Sequence, residues 1–152
     1  MGTSDGISTK DWDIVHELAV EIANAPDSEK GHHRTRLLEY LNALELKYGP
    51  RPSISATRAD YLDDEDPARE ELLLLAYALA ERRSDTPNLI YVAQSLAELY
   101  VDKRELPAAN RWLGRMRKHL VARSDDADYS EYERIRAEYR KLAIKSITPP
   151  DN

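Results

Sequence analysis

Four histidines and a crowd of carboxylates are the residues that could do chemistry in this chain, and their spacing decides how much. His16-Glu17 opens like a helical zinc-protease signature, in which a second His four residues on completes the ligand pair. Val20 stands at that position, so the pair fails. His32 and His33 are neighbours, and neighbours on a helix point in different directions, which suits an exposed pair in a first turn better than a chelate. Asp60, Asp63, Asp64, Glu65 and Asp66 form the densest acidic run, but it lacks the alternation and the central Gly of a calcium loop. Neither His nor nucleophile shares that segment, so it reads as a solvated surface whose acids favour the next helix N-terminus. The chain has no Cys, no Gly-rich phosphate loop and no activated serine motif. The expectation is a non-enzyme with no catalytic residues, no metal and no cofactor.

Two further groupings are spaced for binding rather than reaction. Arg111, Arg115 and Lys118 fall on one helical face, with Arg117 and Arg123 adding local charge. A nucleic-acid surface is the sharp reading of such a stripe. The net charge of −6 and the lack of interleaved aromatics disfavour it, so an outer helix face is expected. Tyr129, Tyr132 and Tyr139 follow helical spacing with Ile135 and Leu142, which fits a seam by which a closing helix docks.

The elements that must position these groups are helical throughout. At 152 residues, 41% hydrophobic and 33% charged, the chain can bury a core as a single all-α domain. The absence of Cys fits a reducing cytoplasm, and no apolar run is long enough for a membrane span. Residues 1–8 read as a flexible tail without a leader pattern, and residues 147–152 as a second tail. The periodicity predicts helices over about Thr9–Asn24, Glu29–Lys47, Ser53–Asp63, Pro67–Arg83 and Pro87–Asp102. A sixth starts near Leu106 and runs to about residue 122, and a seventh spans about 128–146, with Ser124-Asp125-Asp126 between them. Breaks fall at Pro26, at Gly49-Pro50-Arg51-Pro52, and at the Asp66-Pro67 and Thr86-Pro87 pairs, each read as a cap followed by Pro at the first helical position. Leu72 to Leu75, Tyr77 and Leu79 make the fourth helix apolar on most sides, so it is expected to be buried from two directions.

Two stretches look like copies of one unit. Ala59-Asp60-Tyr61-Leu62-Asp63 precedes Asp66-Pro67-Ala68, as Ala97-Glu98-Leu99-Tyr100-Val101-Asp102 precedes Leu106-Pro107-Ala108. The second copy resembles a tetratricopeptide repeat: Leu96 and Ala97 match its Leu-Gly pair, Tyr100 its next large residue, Leu106 the apolar position after the turn, Ala109 its small residue and Leu113 the large one that follows. The resemblance implies stacked antiparallel hairpins, about 9–48, 53–83 and 87–122, closed by a capping helix. It also implies a concave face lined by the first helix of each hairpin. That lining would be Tyr91, Gln94, Ser95, Glu98 and Asp102 on the fifth helix, with Ala56, Thr57, Asp60 and Asp64 on the third. Such a groove is acidic, and it suits a basic or amphipathic peptide or helix. The expected function is therefore a cytoplasmic adaptor or chaperone-like protein–protein interaction module. The alternatives are a self-assembling homodimer and a nucleic-acid-associated regulator using Arg111, Arg115 and Lys118.

Overall fold

In a computed structural model that describes residues 2–123 and 127–147, every regular element is a helix. The seven are α1 (Thr9–Asn24), α2 (Asp27–Tyr48), α3 (Pro52–Asp60), α4 (Pro67–Arg82), α5 (Thr86–Asp102), α6 (Leu106–Ala122) and α7 (Ser130–Ile147). The expected break at Ser124-Asp125-Asp126 and the tail from Thr148 lie outside the described residues. Short connections fold neighbouring helices back on each other, and α1 packs on α2, α3 on α4, and α6 on α7. The contacts gather into two compact units, residues 1–88 and 89–152.

The helix ends follow local chemistry. Ser8 Oγ accepts the Asp11 amide at 3.2 Å to start α1, and Asp66 accepts the Ala68 amide at 2.9 Å ahead of Pro67. For α5 the cap is one residue earlier than the sequence suggests. Thr86 is already helical, and Asp85 Oδ1 accepts the Asn88 amide at 3.3 Å. Gly49 closes α2 at φ 81°, a conformation that favours glycine. Helices α4 and α5 end instead with Ser84 and Arg104 in the left-handed region, at φ 51° and 59°. Their following amides reach back five residues, from Asp85 to Ala80 O and from Glu105 to Tyr100 O, and so satisfy terminal carbonyls.

In residues 1–88, Val15, Leu18 and Ile22 of α1 meet Leu37, Leu41 and Leu44 of α2, with Ile7 and Ile54 in the same core. Each such side chain contributes about 1.5–3 kcal/mol when fully buried. Tyr40 and Tyr48 sit at the core's edge with their hydroxyls partnered. Tyr40 donates to Asp11 O at 3.1 Å, and Tyr48 accepts from the Ser8 amide at 3.3 Å.

Residues 2–8 are not the expected tail. Ile7 and Asp5 are fully buried, and Gly6, at φ 91°, turns the segment so that the Thr3 amide reaches Ile7 O at 2.9 Å. Asp5 Oδ2 accepts the Ser53 amide at 2.7 Å. Helix α3 needs this acceptor because its own N-cap residue, Arg51, has no side chain that bonds back. Asn88 Nδ2 completes the polar cluster by donating to Asp85 Oδ2 at 2.6 Å, to Ser4 Oγ at 3.1 Å and to Ser53 Oγ at 3.3 Å.

Helix α4 also departs from expectation. It buries Leu73, Ala76, Tyr77 and Ala80, but Leu74 and Leu75 are 40% and 48% exposed, so one direction stays open. The helix enclosed on most sides is α5, where Val92, Ala93, Leu96, Ala97, Leu99, Tyr100 and Val101 are all buried. In the same unit α6 buries Ala109, Trp112, Leu113, Met116 and Leu120, and α7 adds Tyr132 and Ile135.

Candidate functional site

The residues expected to line one groove divide between the two units. Thr57, Asp60 and Asp64 belong to residues 1–88. Thr57 is half-buried, Asp60 and Asp64 are exposed, and Asp64 pairs with Arg69 at 3.6 Å. Ala56, expected on the lining, is buried instead, because α3 turns that side toward the core.

On α5 the lining residues meet a neighbour from the chain itself. Arg134 of α7 forms an ion pair with Glu98 and a second, at 2.7 Å, with Glu131. Gln94 Nε2 lies 3.4 Å from Glu98 Oε1 and 3.5 Å from Glu131 Oε2. Helix α7 therefore runs along the face that the sequence reading left open. Glu131 first, and Glu98 with it, raise the Arg134 pKa above its ordinary value and hold the guanidinium charged. Ser95 is half-buried and donates to Tyr91 O at 3.1 Å, while Tyr91 itself is exposed.

What remains accessible is a cleft between α5 and α7 of about 140 Å³, lined by Glu98, Val101, Asp102, Arg134, Ile135 and Glu138. Val101 and Ile135 are buried and form an apolar floor, and Asp102 and Glu138 stand exposed at its rim. Three acidic residues thus line the cleft beside one arginine that is already paired with Glu98 and Glu131. Such a hollow can take an alkyl stem with a cationic head. Glu138 was not singled out in the sequence; its place four residues after Arg134, on the α7 face that meets α5, is the signal that would have found it.

The other sequence candidates are dispersed. Arg111, Arg115 and Lys118 are exposed on α6, and the Arg115 guanidinium lies 4.3 Å from the centre of the Trp112 ring. His33 Nδ1 is 3.6 Å from Glu21, and the His16 ring stands edge-on to Trp12 at 6.3 Å. Among the described residues no group of three or more His, Asp or Glu is placed to hold a metal, and no helix is long and apolar enough to cross a membrane.

The fold defines an all-helical protein of antiparallel helical hairpins, with an acidic cleft between α5 and α7. Comparison with protein-family models, curated proteins and solved structures found no match to this chain.

Proposed function

We propose that the chain is a non-enzymatic protein–protein interaction module, an adaptor or chaperone-like binder that takes a basic, amphipathic segment in the cleft between α5 and α7. The observation that carries this reading is the cleft's composition, an apolar floor of Val101 and Ile135 under Glu98, Asp102 and Glu138. A Lys or Arg of the segment lays its stem on the floor and donates to Asp102 and Glu138, neither of which forms an ion pair among the described residues. Exposed Tyr91, on the same helix, supplies a further amphipathic contact.

Charge reversal tests it best at Asp102 and Glu138, because Glu98 is tied to Arg134 and its reversal would disturb the packing of α7. A labelled pool of basic helical peptides is titrated against the parent and an Asp102→Lys, Glu138→Lys variant by fluorescence anisotropy. The parent should bind and weaken with added salt, and the variant should lose about tenfold or more in affinity. Equal binding by both rejects the cleft.

A second reading, self-association, is favoured by the exposed leucines of α4, Leu74 and Leu75. Sedimentation of the parent beside a Leu74→Glu, Leu75→Glu variant separates the two, since only self-association changes the mass.

A further inference from the structure

Helix α7 carries a second flank of opposite character. Its contacts with α6 enclose a groove of about 330 Å³ lined by Asn110, Leu113, Gly114 and Arg117 from α6 and by Tyr132, Arg136, Tyr139 and Arg140 from α7. Among the described residues that line it, three are arginines and none is an acid. The chain holds 28 Asp and Glu against 22 Lys and Arg, and several of its arginines find acids: Arg36 with Glu21, Arg58 with Glu45, Arg134 with Glu98. Arg117, Arg136 and Arg140 form no ion pair among the described residues, and the one interaction of Arg136 is with the Tyr132 ring at 6.0 Å.

The imbalance follows from the sequence. Helix α6 runs 17 residues with Arg111, Arg115, Arg117 and Lys118 and not one acid. Residues 89–152 hold twelve Lys and Arg against ten Asp and Glu, whereas residues 1–88 hold ten against eighteen. On α7 the helical period sends Arg134 and Glu138 to one side and Arg136, Tyr139 and Arg140 to the other. Glu133, one turn before Arg136, makes no ion pair with it and does not line the groove. Three like charges held together cost free energy unless something neutralises them. Gly114 leaves the floor open: a Cβ built there meets no heavy atom within 4 Å.

We propose that this groove binds a phosphate monoester carried on a peptide. A phosphate group offers nearly two negative charges and three acceptor oxygens in a volume no larger than a side chain, and it suits a groove lined by three arginines better than a single planar carboxylate can. Asn110 and Tyr139 add neutral donors at the rim. A nucleic-acid strand fits less well, because the chain as a whole is anionic and one aromatic ring of the groove, Tyr132, is buried. The site is separate from the α5–α7 cleft and does not depend on that reading.

The test titrates a degenerate pool of phosphoserine peptides, flanked by neutral residues, into the isotopically labelled full chain and follows the arginine side-chain and α6–α7 amide resonances. The parent should shift at Arg117, Arg136 and Arg140 with saturation. Two variants should each weaken binding about tenfold or more while keeping the parent's helicity: Arg117→Gln with Arg140→Gln, and Gly114→Asp, which places a carboxylate in open space among the guanidiniums. The proposal is overturned if the phosphorylated pool leaves these resonances unmoved, or if either variant binds as the parent does. It is equally overturned if the unphosphorylated pool, the same pool with Glu for phosphoserine, or a single-stranded oligonucleotide shifts them to the same extent.

Discussion

Replacing Asp5 with Ala removes the acceptor that a helix 48 residues away depends on. Asp5 is fully buried, and its carboxylate takes the Ser53 amide at 2.7 Å in the first turn of α3. A hydrogen bond to a charged group contributes about 1.5–3 kcal/mol, and an anion at a helix N-terminus adds about 0.3–1 kcal/mol. Arg51 cannot substitute, since its side chain makes no capping bond to α3. Asp5→Ala should therefore destabilise residues 1–88 by roughly 2–4 kcal/mol, beyond what most lost caps cost. Asp5→Asn keeps the shape and a neutral acceptor and should cost about 1 kcal/mol. Urea unfolding followed by circular dichroism gives the change, and hydrogen exchange at the Ser53 amide localises it, with protection falling about 30-fold or more in Asp5→Ala. Asp13→Ala, at an exposed acid of α1, serves as the control and should stay within about 0.5 kcal/mol. If Asp5→Ala behaves like that control, the cap does not hold α3 and residues 1–8 are dispensable.

Three other outcomes follow from the same geometry. Gly31→Ala and Gly114→Ala, where a new Cβ meets nothing within 4 Å, should each stabilise by about 0.5–1 kcal/mol, measured as a shift in the urea midpoint; a loss at either would deny the open space. Leu41→Ala, at a fully buried site, should cost about 2–5 kcal/mol, whereas Leu75→Ala, half exposed on α4, should cost about 0.5 kcal/mol or less; equal losses would mean α4 is covered. The Lys47 ammonium, 2.8 Å from Asp11, and the Tyr48 hydroxyl hold the Asp11 carboxyl below its ordinary range, and Asp11 in turn raises Lys47. Asp11's share of stability is thus present above about pH 4 and lost as pH falls through its lowered folded value, and that of Lys47 is present below about pH 10 and lost as pH rises through its raised one. The gap between parent and Lys47→Met in urea should narrow at both extremes, and a gap that stays flat into strong acid would refute the pairing.

Most of the fold was legible because helices are written in local code. The stripe Ala109, Leu113, Met116 and Leu120 is buried as its spacing requires, and the Ser8 and Asp66 caps open their helices where short polar residues precede apolar runs. What the sequence hid is what distant segments do to each other. Leu72 to Leu75 look equally apolar, and only packing decides that Leu73 is buried while Leu74 and Leu75 are not. Residues 1–8 read as a tail because one acid and one isoleucine carry no periodicity, yet Asp5 completes α3. The expected α5 lining named Glu98 and Asp102, but that α7 would bring Arg134 and Glu138 against them is a tertiary fact.

The arginines make the same point for function. Sequence spacing selected Arg111, Arg115 and Lys118 because they share one face of α6, a criterion that operates within a single helix. Arg117 lies off that face and looks like stray charge until α7 is set beside it. Arg136 and Arg140 lie off the Tyr132–Ile135 seam of α7. Their place beside Arg117 in one groove depends on how α7 is turned about its axis, and that rotation is fixed by burying Tyr132 and Ile135. The apolar seam that docks α7 therefore sets both of its flanks at once. It aims Arg134 and Glu138 at α5, where carboxylates are in excess, and Arg136 and Arg140 at α6, which has none. A residue change at Tyr132 or Ile135 that rotates α7 should accordingly disturb both sites together, while changes at Glu138 or Arg140 should disturb one and spare the other.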